Sequence, residues 1–86
     1  MSDSISEEMD AVHEAEKLLA EHIRTTILYD IEMGKFSKYE LLGRLHKSTI
    51  GVEAMQSRKL WTLRYALAIA HRLGYSLSNL EVVKHE

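Results

Sequence analysis

Apolar positions recur every three or four residues along most of this chain, and no segment alternates convincingly with a period of two. That periodicity predicts an all-α fold. In the first part of the chain the stripe is Met9, Val12, Ala15, Leu19, Ile23, Ile27 and Ile31, widened by Leu18 and Leu28. It predicts one long helix from about Glu7 to Met33. Ser4 or Ser6 can cap its start, and the acids of the first turn suit the positive end of the helix dipole. Gly34, in "MGKFS", is placed to take the left-handed conformation that closes a last turn.

Three shorter helices are predicted after it. Ser37 and Glu40 have the spacing of a capping box, so a second helix starts at Ser37 and ends near His46, with Tyr39, Leu41, Leu42 and Leu45 as its buried face. Ser48 caps a third helix from Thr49 to about Gln56. "SRK" is a polar connection. "LWTLRYALAIAHRLG" then reads as a fourth helix, with Leu60, Leu63, Leu67, Ala70 and Leu73 in one stripe and Gly74 at its end. "YSLSNLEVV" has room for one more turn capped by Ser78. The expectation is a small helical domain of four to five helices, a single unit over residues 1–86.

Charge divides this unit in two. Residues 1–34 hold nine acids against Lys17 and Arg24, 2 − 9 = −7, whereas residues 35–86 hold nine bases against four acids, 9 − 4 = +5. The formal net charge of −2 conceals this separation. Local field, more than the total, steers a protein toward phosphates. The same separation also suits two opposite-sign faces that associate, within one molecule or between two. The absence of cysteine excludes disulfides, thiolate metal sites and thiol nucleophiles. The acidic, polar N-terminus is the opposite of a secretory signal, and no apolar run is long enough to cross a membrane. A cytoplasmic protein is the expectation.

Within the basic part, Leu41, Leu45, Ser48, Val52 and Met55 stand at spacings that resemble the Cro/repressor-like (XRE-type) helix-turn-helix regulators. "LAIAHRLGYSLSNL", residues 67–80, is similar to the helix and serine-bearing tail that follow the motif in that family. The likeness covers about half of the chain. Where the family carries a small residue, a glycine and an aliphatic in and before the turn, this chain has Leu42, His46 and Lys47. The resemblance implies a DNA-binding transcriptional regulator of the repressor type, from a phage or a bacterium. It would occupy double-stranded DNA with its third helix, and its long N-terminal helix would set the geometry of a homodimer. The residues implied at the base edges are Thr49, Ile50, Glu53, Gln56 and Ser57, with Ala54 beside them. Those implied at phosphates are Ser37, Lys38, Lys47, Ser48, Arg58 and Lys59.

A second expectation belongs to another class. The chain could be a helical protein-interaction module, such as an antirepressor, an antitoxin-like partner or an inhibitor, that keeps the architecture without reading DNA. Its acidic first helix and the three departures from the family pattern favour that reading. Trp61 and Tyr65, four apart, read as core anchors, and Tyr75 as packing back on the fourth helix. The five histidines include no pair with metal-ligand spacing, so neither a metal nor another cofactor is expected. No nucleophile stands beside an obvious base, and no enzymatic activity is expected. The first helix, at about 27 residues, would be roughly 40 Å long. That is more than so small a domain can cover, which points to a second chain.

Overall fold

A computed structural model describes residues 2–76, with side chains from residue 9 onward. It is all-α: α1 spans Ser2–Glu32, α2 Lys38–Leu45, α3 Thr49–Ser57 and α4 Leu63–Arg72. The expected extra turn capped by Ser78 lies outside the described residues.

α1 and α4 form the main packing pair, and α2 braces α3 on one side and α4 on the other. Ala20, Ile23 and Ile27 of α1 are buried, as are Ala66, Ile69 and Ala70 of α4. The alanines let the two helices approach closely, while Ile23 and Ile27 fill the space between them. α2 contributes Leu41 and Leu45, α3 contributes Val52 and Met55, and Trp61 and Leu73 close the two ends of α4. The four leucine, valine and methionine positions of the helix-turn-helix spacing thus share one core, as expected from their register.

Only the second half of α1 takes part. Ala20 is the first buried residue among the described side chains, and Met9, Val12 and Leu18 are exposed. At 1.5 Å per residue the segment before Ala20 is roughly 27 Å long, and the molecule measures 53 × 29 × 17 Å.

Several expected positions move. Tyr39 was assigned to the buried face of the second helix but is 83% exposed. It lies two residues from Leu41, about 200° around the helix, and so cannot share that residue's face. Leu60 is 78% exposed because the fourth helix starts later, at Leu63, with Thr62 accepting from the Tyr65 amide at 3.1 Å. The connection from Arg58 to Trp61 is non-helical, with a bend at Lys59. Tyr75 packs against the core with its ring 6.1 Å from that of Phe36, and its hydroxyl donates to Asp30. Trp61 is a core anchor, edge-on to Tyr65 at 5.4 Å. Its indole Nε1 is buried without an acceptor among the described residues, a cost of about 1–3 kcal/mol.

Three helices end in the same way. Gly34, His46 and Gly74 have positive φ of 84°, 55° and 90°. In each case the following amide bonds back five residues, Lys35 to Asp30, Lys47 to Leu42 and Tyr75 to Ala70. This is the six-to-one bond of a Schellman ending. Three arginines then tie helix ends to neighbouring helices. Arg72 donates to the Leu45 carbonyl at 3.0 Å, Arg44 to the Leu73 carbonyl at 3.0 Å and Arg24 to the Arg58 carbonyl at 3.2 Å.

Replacing Ile27 by alanine is expected to lower unfolding free energy by about 3 kcal/mol in urea titrations, because a fully buried side chain leaves a cavity. Tyr39→Ala should change it by less than about 0.5 kcal/mol. Burial, then the hydrogen bond and charge of Asp30, hold the Tyr75 hydroxyl protonated well above its ordinary range. A raised folded-state value contributes stability that is complete below the ordinary tyrosine value of 10.0 and is lost as pH rises beyond it. Tyr75→Phe should remove that alkaline slope, read by thermal unfolding from pH 8 to 11.

Candidate nucleic-acid interface

The surface built by α2 and α3 begins with two well-made helix starts. The Ser37 hydroxyl accepts from the Glu40 amide at 3.1 Å, and the Glu40 carboxylate accepts from the Ser37 amide at 3.0 Å. Ser48 likewise accepts from the Gly51 amide at 3.1 Å. Between them the chain reverses through His46, in the left-handed region at φ 55°, ψ 44°. Glycine is the residue such a turn ordinarily takes; a residue with a β-carbon takes it at a steric cost of roughly 1 kcal/mol. The turn therefore keeps the expected backbone although the residue departs from the family pattern.

Gly51 has its own reason. A β-carbon there would stand 3.2 Å from that of Lys47. The loss of roughly 1 kcal/mol in helix propensity relative to alanine accompanies a close approach of the first turn of α3 to the preceding turn.

With Val52 and Met55 facing inward, the outer side of α3 is open. Thr49, Ile50, Glu53, Ala54 and Ser57 are all exposed, and Ile50 is 77% exposed. An isoleucine turned fully to water on a short helix is the most conspicuous apolar feature of this surface. Gln56 is different. It is half-buried and lines a groove of about 370 Å³ with Phe36, Lys38, Leu42, Thr49 and Glu53 among its walls. Thr49 and Glu53 border both the groove and the open face.

Cations surround the face unequally. Lys38, Lys47 and Lys59, together with Arg64 on the first turn of α4, make no ion pair among the described residues. Arg58 is stacked over the Tyr65 ring, its guanidinium carbon 4.6 Å from the centroid, yet stays exposed. Stacking fixes a guanidinium's plane while leaving its edge free to donate. Gln56 and Arg58 thus turn to different neighbours, the groove and α4. Ser37 and Ser48 are exposed, but their hydroxyl oxygens are already engaged as caps.

The basic count of this region overstates what is available. Arg44 and Arg72 are consumed by helix-end carbonyls, and Lys35 is 3.4 Å from Asp30. Periodicity alone could not reveal this. Conversely, Tyr39 and Arg64 were not assigned to the surface. The phase of Tyr39 relative to Leu41 carried the signal for the first, and the late start of α4 concealed the second. Among the described residues no cluster of His, Asp or Glu could hold a metal ion, and no helix is long and apolar enough to cross a membrane.

His46→Gly should raise stability by about 0.5–1 kcal/mol, since relief of the left-handed strain exceeds the added freedom of the unfolded chain. Ser48→Ala should lower it by about 1 kcal/mol. Chemical denaturation of the two variants reads both signs.

No protein-family model, curated protein or solved structure matches this chain, and the reading of its surface rests on the residues themselves.

Proposed function

We propose that this protein binds double-stranded DNA as a small regulator of the repressor type, with α3 as the helix that enters the major groove. The single observation that carries this reading is the open face of α3. Ile50 is 77% exposed, with Thr49, Glu53 and Ser57 beside it, and the helix follows a left-handed turn at His46. A helix delivered in this manner, with its inner residues locked in a core, suits recognition in a groove. Ile50 fits a thymine methyl, and Glu53 can accept from a cytosine amino group. Lys38, Lys47, Lys59 and the stacked Arg58 supply phosphate contacts, and Ser37 and Ser48 place helix N-termini toward the backbone. Gln56, turned into the groove, supports the face more than it reads from it. The resemblance to the Cro/repressor-like regulators accords with this reading.

The groove favours a second reading. Its walls include Ile31, Phe36, Leu41, Leu42 and Val52, with Glu53 and Lys38 on its rim. Such a cleft suits an apolar side chain of a protein partner more than a sugar–phosphate backbone. On that reading the chain is an interaction module with the architecture of a regulator.

Duplex binding, followed by fluorescence anisotropy on a labelled generic duplex across a salt series, separates the two. A DNA binder loses affinity linearly in the logarithm of salt, with a slope of about −0.9 per phosphate contacted. Lys47→Ala and Lys59→Ala should each flatten that slope by about one contact. Ile50→Ala should leave the slope unchanged and weaken discrimination between selected and random sequences. No affinity for any duplex at low salt would exclude the first reading and leave the second.

A further inference from the structure

The first half of α1 is the least explained part of the molecule. It continues the face that carries Ile23 and Ile27, so Met9 and Val12 share the phase of the core residues yet are exposed, while His13 and Glu16 border open space toward α4. Met9 is 63% exposed and Val12 52%. Beside this segment runs a groove between α1 and the start of α4. One part, about 280 Å³, is walled by His13, Lys17, Ala20, Leu60 and Trp61; the next, about 460 Å³, by Glu16, Leu63, Arg64 and Leu67. Leu60, on its edge, is 78% exposed. A protruding apolar stripe and an empty apolar groove of matching direction lie on the same side of one molecule.

We propose that a second copy of this chain fills the groove with the first half of its own α1, antiparallel to the α1 that forms the wall. A twofold axis near His13 makes the contact isologous, so each copy gives a helix and receives one. Residues whose numbers sum to about 27 then stand level with each other along the two helices. Met9 and Val12 of each copy lie over Leu60 and Leu63 of the other, and Asp10 of each comes opposite Lys17 of the other.

Charge supports this occupant over an unrelated helix. The protruding segment carries Asp10 on its flank, whereas the groove is bordered by Lys17 and Arg64 beside Glu16, and neither cation has an acidic partner among the described residues. Opposite signs across the contact select partner and direction. The opposite face of α1 is the competing candidate, with Leu18 65% and Tyr29 61% exposed. Around it stand Glu14, Glu21 and Glu32, so two copies meeting there set like charges together.

The arrangement is independent of what α3 reads, and its test contains no DNA. Trp61 is the single tryptophan of the chain and lines the groove. Sedimentation velocity on the full chain over a concentration series should show a monomer–dimer equilibrium, and tryptophan emission should change with the same midpoint. Met9→Glu and Leu60→Glu alter exposed side chains and leave far-UV circular dichroism unchanged. Each should raise the dimer dissociation constant at least tenfold, whereas Leu18→Glu should not change it. Lys17→Glu should weaken the dimer, and Asp10→Lys in the same chain should restore it. A chain that stays monomeric throughout overturns the proposal. So does dimerisation that Leu18→Glu abolishes and Leu60→Glu does not, or a charge exchange that fails to restore association.

Discussion

The carbonyls that a helix leaves unpaired at its C-terminal end are the constraint around which this small protein is organised. Each helix that ends inside the domain has such carbonyls, and an 86-residue chain has little apolar surface with which to offset neglecting them. Here the ends of α2, α3 and α4 each receive an arginine from another helix: Arg72, Arg24 and Arg44 respectively. A guanidinium at a helix C-terminus is favoured by the dipole and supplies donors in a planar fork. The exchange between α2 and α4 is reciprocal, so it fixes their relative position in two places. With α2 held in this way, the left-handed turn at His46 can send α3 across it with an open outer face.

The same economy decides which charges remain for a partner. A basic region that looks uniform along the chain divides into Arg44 and Arg72, used for cohesion, and cations that make no ion pair among the described residues. Lys38, Lys47 and Lys59 sit on the ends and connections of α2 and α3, and Arg58 is held flat on Tyr65. Cations in such positions surround the face without covering it. In the proposed role, Glu53 among them would oppose phosphate approach and favour a base edge with an amino group.

α1 serves two purposes along its length. From Ala20 onward it is a core helix, sealed against α4 by residues that leave almost no space. Before Ala20 it has the same face and no counterpart, and there the groove beside Leu60 and Trp61 offers one. In the proposed dimer a second copy would supply apolar area that so short a chain does not provide for itself.

The all-α class, the capping box at Ser37, the cap at Ser48 and the stops at Gly34 and Gly74 were legible in the order of residues. Each depends on a contact within one turn of chain, which residue spacing reports directly. The shared core of Leu41, Leu45, Val52 and Met55 was also legible, since helical phase determines which side chains can meet. What tertiary structure alone decided is where those phases stop mattering. Leu60 keeps the spacing of a buried position but lies outside the helix, because Thr62 caps α4 two residues later. Met9 and Val12 keep the phase of Ile23 and Ile27 but have nothing opposite them. Gln56 enters a groove and Arg58 finds Tyr65 through contacts with elements distant in the chain. Local spacing records the direction a side chain takes from its own helix; whether protein or water lies in that direction depends on how the four helices are assembled.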